Sequence, residues 1–425
     1  MSIKFFTELS RNFFVGKEQD FSFKKIQGSN FNIPKIKKCG LYIHVPFCKS
    51  ICPYCPYNKI LYKTKLAQAY VQALCKEIKL YSDLLGPIEI SSIYIGGGTP
   101  TTIINDLEKI LNLIKEKFNL TGDIGIETSV ADITCDNIKI FKSCGVNLLS
   151  IGVQSFNDKF LKFLGRNYCA KDISTAIKFA KEGYFKTVNI DLMFALENQN
   201  INDICYDLEK AISSGVDQIT TYPLFTFPYT SVGKFLNLKS LKMPNLFMRK
   251  KMYFYIYDFM LNNKFSPVSV WGFKKGDVPR YSSVTRDFYI GLGAGAASSF
   301  PEIFYFNTFS VPEYNKCLMD NNLPYALYMP VSFNLSRYYW WYWRLYETCF
   351  FEKDFYEIFG NDKKAQYFLK FFYLMRWCEK NCDTIKLTRE GAFWVHLIQN
   401  YFILNYINKV WSIAMNAPWP EYIKI

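Results

Sequence analysis

Three cysteines, Cys48, Cys52 and Cys55, fall within eight residues in the stretch YIHVPFCKSICPYCPYN. Thiolates at this density are soft metal ligands, and the number three narrows the choice of metal. A structural zinc ion closes with four ligands. His44 is the only histidine nearby, on the strand-like run before the loop, and His396 is the only other one in the chain. A Cys3His zinc knot remains an alternative, with a spacing that suits it poorly. An iron–sulfur cube is normally held by four thiolates. With three, one iron keeps an open position where a substrate or cofactor can bind.

Such a loop needs a rigid support. Between residues 40 and 222 short apolar runs rich in β-branched residues (LYIHV, SSIYIGG, DIGIETS, NLLSIGVQ, TVNIDLMF and DQITTYPL) alternate with stretches of helical period. That rhythm predicts βαβ units and a parallel sheet, open or curled into a partial barrel. Chemistry in such sheets collects at the carboxyl ends of the strands. Those ends carry the cysteine cluster, GGGTP, Glu127, Gln154 and Asp191. Any one of them reads equally well as a satisfied strand-end turn; together they outline a pocket.

Five blocks, LYIHVPFCKSICPYC, YIGGGTPT, GVNLLSIGVQSFNDKFLKFLGR, VNIDLMF and YIGLGAGAAS, stand in an order and spacing that resemble one family. This is the oxygen-independent coproporphyrinogen III dehydrogenase-like branch of the radical S-adenosylmethionine (radical SAM) superfamily, which also holds class C methyltransferases and haem chaperones. The resemblance covers about residues 40–300 and, loosely, the C-terminal part. It implies an α/β fold: a partial (β/α)6 barrel with an added, mainly helical, winged-helix-like C-terminal domain. The expected divisions are an N-terminal extension at 1–39, the core barrel at 40–230, an extension holding a second cofactor or substrate region at 231–310, and the helical domain at 311–425.

The resemblance also implies roles. Cys48, Cys52 and Cys55 would ligate a [4Fe–4S] cluster whose open iron chelates S-adenosylmethionine. Gly97, Gly98 and Thr99 would hold the methionine end, Gln154 and Asp191 the ribose, and Glu127 and Arg166 the polar groups of the cofactor. Tyr42 and His44 would lie beside the cluster and Tyr54 near the adenine, with His44, Glu127 and Arg166 as the catalytic candidates. Gly293 and Ala294, in GLGAGA, would border a second S-adenosylmethionine. A strand histidine bonded to backbone is an equal reading of His44, and Arg166 taken alone reads as a surface charge.

Within the branch the sequence departs from each specialised pattern. Tyr57 stands where the authentic dehydrogenases have another cysteine, SVTRDFY lacks the histidine typical of the haem chaperones, and ALENQN replaces a GLPGQT-like loop. The expected reaction is therefore reductive cleavage of S-adenosylmethionine to a 5′-deoxyadenosyl radical, followed by C-methylation of an unsaturated or aromatic ring with a second S-adenosylmethionine. Oxidative decarboxylation of coproporphyrinogen III and haem carriage without turnover are the alternatives. A flavodoxin or ferredoxin donor and a small planar substrate are the partners.

Composition limits the other classes. The chain has 425 residues, half of them hydrophobic, enough for a large core. Thirteen cysteines, an odd number, are too few for a disulfide scaffold, and no secretory signal is evident, which points to the cytoplasm. The net charge of +14 comes from lysines spread along the chain, so no nucleic-acid module is expected. No apolar run reaches the ~18 residues of a spanning helix. The densest aromatic stretch, SRYYWWYWRLYETCFF, reads as a buried helix, with contact at a membrane surface left open. Trp271, Phe273 and the Tyr/Trp cluster at 338–343 would suit a core or stacking on a planar ring.

Overall fold

The computed structural model describes residues 21–26, 31–237, 243–282 and 288–425. Most of the 1–39 extension and of SVTRDFY therefore lies outside the described residues. Six strands follow the expected rhythm: β1 (Lys38–Val45), β2 (Glu89–Gly97), β3 (Asn119–Ser129), β4 (Leu148–Gln154), β5 (Thr187–Phe194) and β6 (Gln218–Pro223). Each pairs in parallel with the next. Residues are buried in succession along them, as Ile93, Tyr94 and Ile95 are in β2, because both faces of the sheet are covered. The return helices α1 (Thr64–Leu85), α2 (Leu107–Lys117), α3 (Cys135–Ser143), α4 (Ala170–Glu182) and α5 (Ile201–Ser213) are amphipathic. In α2 the buried stripe is Leu107, Ile110, Leu111 and Ile114, one helical face. The start of α5 is fixed by Asn200, which accepts from the amides of Asn202 and Asp203 while Asp203 accepts from the amide of Asn200.

The six strands form an open α/β sheet, as the partial barrel required, and the sheet continues at both sides. Strand β7 (Gly272–Lys275) adds antiparallel to β6, and β8 (Tyr289–Leu292) adds parallel to β1. Beyond β8 an antiparallel meander runs through β9 (Ala297–Phe300), β10 (Ile303–Asn307) and β11 (Tyr325–Pro330). A short N-terminal strand, Ser22–Lys25, then bridges β11 to the C-terminal strand Tyr422–Lys424. This tie between the chain's two ends has no signature in the sequence.

The register places the chemistry. In β1, His44 lies opposite Gly96 of β2 and Val45 opposite Gly97, while Tyr42 lies opposite Gly291 of β8. GGGTP and GLGAGA therefore leave the sheet on either side of the cysteine loop. The C-terminal part is mainly helical, with a three-stranded sheet of Cys349–Phe351, Thr384–Leu387 and Cys378–Asn381. Thr388 caps the helix Arg389–Phe402 by accepting from the amide of Gly391. Trp341 is buried among Phe355, Phe359, Phe368 and Phe372, so the aromatic helix Phe333–Tyr346 packs on protein along that face. Among the described residues no helix is long and apolar enough to cross a membrane.

A buried carboxyl group fastens the second glycine block. Glu77, fully buried on α1, accepts from the Gly293 amide (2.8 Å), the Tyr314 hydroxyl (2.6 Å) and Asn307 Nδ2 (2.7 Å). Burial pushes its pKa up to about 7. Replacing Glu77 with Ala strands three buried donors and should cost about 3 kcal/mol or more in urea unfolding. A variant as stable as the parent would show that these bonds contribute nothing net.

Candidate active site

The cysteine loop is closed by its own backbone. Phe47 and Cys48 pair in parallel with Ile60 and Leu61, and the Cys55 amide donates back to the Cys52 carbonyl at 3.3 Å. Lys59 Nζ reaches the carbonyl of Cys55 at 2.6 Å. Cys48 is buried, whereas Cys52 and Cys55 are half-buried. Burial pushes the Cys48 thiol up to about 11, and Cys55 and Cys52 beside it act in the same direction. Without a bound cation the Cys48 thiol stays protonated; iron would draw off its proton.

The glycines of GGGTP are required by the protein's own atoms. A Cβ on Gly98 would lie 2.7 Å from the Phe47 carbonyl oxygen and 2.9 Å from Cys48 Sγ. On Gly97, at φ +115°, it would lie 2.7 Å from the His44 ring. The Gly98 and Thr99 amides donate to Val45 and Phe47, and Thr99 Oγ1 lies 3.7 Å from Cys48 Sγ. The sequence suggests close approach to a ligand here; the close approach in the structure is to the cysteine loop. Asp132 adds a tie, accepting from Thr101 Oγ1 (2.7 Å) and Lys49 Nζ (2.8 Å).

His44 is a neutral post. Its Nε2 faces the Asn58 carbonyl at 2.8 Å, which can only accept, so Nε2 carries the proton and Nδ1 accepts from Tyr42 Oη at 2.8 Å. Burial pulls its pKa down to about 4. Asn58 in turn donates to the carbonyls of Ala294 (3.1 Å) and Phe309 (2.9 Å). The Gly293 amide is committed to Glu77 and the Ala294 amide to Tyr70, whose hydroxyl also bonds the His44 carbonyl. A second S-adenosylmethionine bordering Gly293 and Ala294 would therefore meet them through shape, not through these two amides.

The remaining strand ends converge. Glu127, from β3, accepts from the Tyr94 hydroxyl and the Gly97 amide (3.3 Å), and burial raises its pKa. Asp191, from β5, accepts from Asn189 Nδ2 (3.0 Å) and Ser150 Oγ (3.4 Å). Burial, with Glu127 acting in the same direction, raises it to about 7. Gln154 ends β4 in the left-handed region (φ 73°), and its Oε1 accepts from Tyr222 Oη at 2.8 Å. The next residues are held by Asp207 of α5, which accepts from Ser155 Oγ and the Phe156 amide. Arg166 is no surface charge. Its Nη2 donates to Tyr54 Oη at 2.5 Å, it lies over the rings of Tyr54 and Tyr168, and its Nε is buried with no partner among the described residues.

Sequence reasoning missed Asn58, Tyr94, Tyr222, Asp132 and Asp207. Tyr94 was findable, since it sits on the strand whose end carries GGGTP, and Tyr222 sits on the sixth strand, whose end carries no motif. Asp132, Asp207 and the contacts of Asn58 depend on segments distant in sequence.

Residues 42–211 match the family model described as the radical SAM superfamily. The haem chaperone HemW of Lactococcus lactis subsp. lactis is 30% identical over 287 residues, 66% of this chain and 74% of the chaperone. The chain belongs to the radical SAM superfamily. The anaerobilin synthase of Escherichia coli O157:H7 is 27% identical over 397 residues, 90% of this chain and 86% of that protein. Coproporphyrinogen III oxidase (HemN) from Escherichia coli shares the fold: TM-score 0.74 at 19% identity, over 89% of this chain and 94% of HemN.

Radical SAM proteins bind a [4Fe–4S] cluster and S-adenosylmethionine, and the residues here fit both. Among the described residues no three His, Cys, Asp or Glu side chains close on a single ion. A cube does not need them to, because each thiolate binds a different iron. Loss of solvent, with the Glu127 carboxyl acting in the same direction, raises the pKa of the half-buried Asp191 despite Arg166, so the mouth would welcome positive charge. A sulfonium and an ammonium would supply that, and the unpartnered Arg166 Nε could meet a polar group of the cofactor.

Two outcomes are expected. Cys52→Ala should lose the broad visible absorbance of the cluster, and its bound iron, after reconstitution. S-adenosylmethionine affinity should rise with pH up to about 7, by at most about tenfold per unit, as Asp191 ionises; Asp191→Asn should flatten the profile, and an unchanged slope would exclude Asp191 as its source.

Proposed function

We propose that this protein is a radical SAM enzyme whose substrate is a tetrapyrrole. The observation that carries the reading is the extent of the anaerobilin synthase match, 90% of the chain including the helical C-terminal part, against 66% for HemW. Haem, bilin and coproporphyrinogen, in the relatives' names, are all tetrapyrroles. None of these relatives is named for methyl transfer, so C-methylation of an unspecified ring has less support than the haem and porphyrin readings. Haem carriage without turnover is the second reading, favoured by the HemW identity in the core.

When bound and reduced, a cluster held by Cys48, Cys52 and Cys55 would supply the one-electron chemistry that activates S-adenosylmethionine for hydrogen abstraction. The protein's part is to hold and exclude. Cys48, Cys52 and Cys55 would hold the irons, with the loop braced by His44 and Asn58. Asp191 and Gln154 would orient the ribose, and Glu127 and Arg166 the charged groups of the methionine. His44, neutral and bonded at both nitrogens, has no proton to exchange without breaking a bond, so it acts here as a brace. An acidic flavodoxin or ferredoxin is the proposed electron donor, suited to the net charge of +14. The cytoplasm is the proposed compartment, consistent with thirteen free cysteines.

The test is anaerobic turnover of the reconstituted protein with dithionite, S-adenosylmethionine and either haem or coproporphyrinogen III, read by mass spectrometry. 5′-Deoxyadenosine together with an altered tetrapyrrole is expected. Tight haem binding with no product would favour carriage, and 5′-deoxyadenosine with both macrocycles untouched and unbound would remove the tetrapyrrole reading.

A further inference from the structure

We propose that Tyr57 and Trp411 form a stacking face on which the flat substrate seats over the barrel mouth; this rests on the tetrapyrrole reading above. Tyr57 lies two residues past Cys55, on the cluster loop. Half of its surface is accessible, yet it lies within electrostatic reach of Glu127, Asp191 and Tyr346. A solvent-accessible side chain on the cluster loop that is acted on by Glu127 and Asp191, both half-buried, faces the mouth, not the outer surface. Its phenol has no hydrogen-bond partner among the described residues, unlike those of Tyr42, Tyr94 and Tyr222.

Trp411 comes from the far end of the chain. It sits on the helix Asn408–Asn416, which follows Arg389–Phe402 through a π-helical turn, Ile403–Ile407. Such turns shift the side-chain register by one residue and recur at functional sites. The half-buried indole lies 5.8 Å from the Tyr57 ring and 6.1 Å from Phe227, nearly parallel to the latter at 17°. Phe227 follows β6, and this segment also grips the cluster loop: Tyr229 Oη donates to the Pro56 carbonyl at 2.8 Å and the Val232 amide to Pro53 at 3.1 Å.

The cluster loop and the C-terminal helix thus contribute one accessible ring each, with the buried Phe227 of the barrel's last loop backing the indole. Offset stacking on the indole suits a planar conjugated macrocycle, and Tyr57, tilted 51° to Trp411, would meet the wide face of a tetrapyrrole edge-on. A core reading would have the Tyr57 ring covered, and it is not.

The test uses the full chain, reconstituted anaerobically, titrated separately with haem and with coproporphyrin III and followed by the Soret shift. Trp411→Ala and Tyr57→Ala should each weaken binding about tenfold, and Trp411→Phe should restore most of it. Thermal melting and iron content separate lost stacking from lost fold. If the parent binds and both alanine variants, folded and loaded with iron, bind equally tightly, the stacking face is overturned and the tetrapyrrole reading stands. If the parent binds neither macrocycle, both fall.

Discussion

The site depends on one constraint: the cysteine loop must be held still without using the cysteines. Asn58 does this. Its carbonyl accepts a hydrogen bond from His44 Nε2, and its side chain donates to the carbonyls of Ala294 and Phe309. One residue thereby joins the first strand, the cluster loop and the second glycine block. Gly295 cannot be larger, since a Cβ there would lie 2.8 Å from Asn58 Nδ2. Iron ligation then adds to a loop already shaped, which limits the entropy lost when the cluster is built.

The carboxyl groups divide by what surrounds them. Glu77 is buried deep among three donors and ties α1 to the sheet. Asp207 likewise serves a backbone turn, the one that carries Gln154 into its left-handed conformation. Glu127 and Asp191 differ because both are only half-buried, and the charge of Glu127 adds to the rise at Asp191. Burial raises all four, but only for the last two would a cationic ligand reverse the shift.

The glycines carry a related lesson. Reading GGGTP and GLGAGA as ligand cradles assumes that open space beside a glycine is for a ligand. In this fold the space beside Gly97, Gly98 and Gly293 is filled by His44, Phe47, Cys48 and Tyr70. Both blocks flank β1, so their small residues let three adjacent loops crowd together, and the cofactor would meet the surface that results.

The sequence by itself determined the six parallel strands and the carboxyl-end positions of Cys48, Cys52, Cys55, Glu127 and Gln154; Asp191, expected at such an end, lies within its strand, three residues before Phe194. These depend on spacing within a few residues and on short apolar runs that recur between stretches of helical period. Only the tertiary structure decided that β8 pairs with β1, that Arg166 turns inward, that Asn58 is the brace, and that Trp411 reaches Tyr57. Asn58 and its two acceptors are 236 and 251 residues apart in the chain. No local pattern records such a pairing, because its energy exists only once the sheet has brought the two segments side by side.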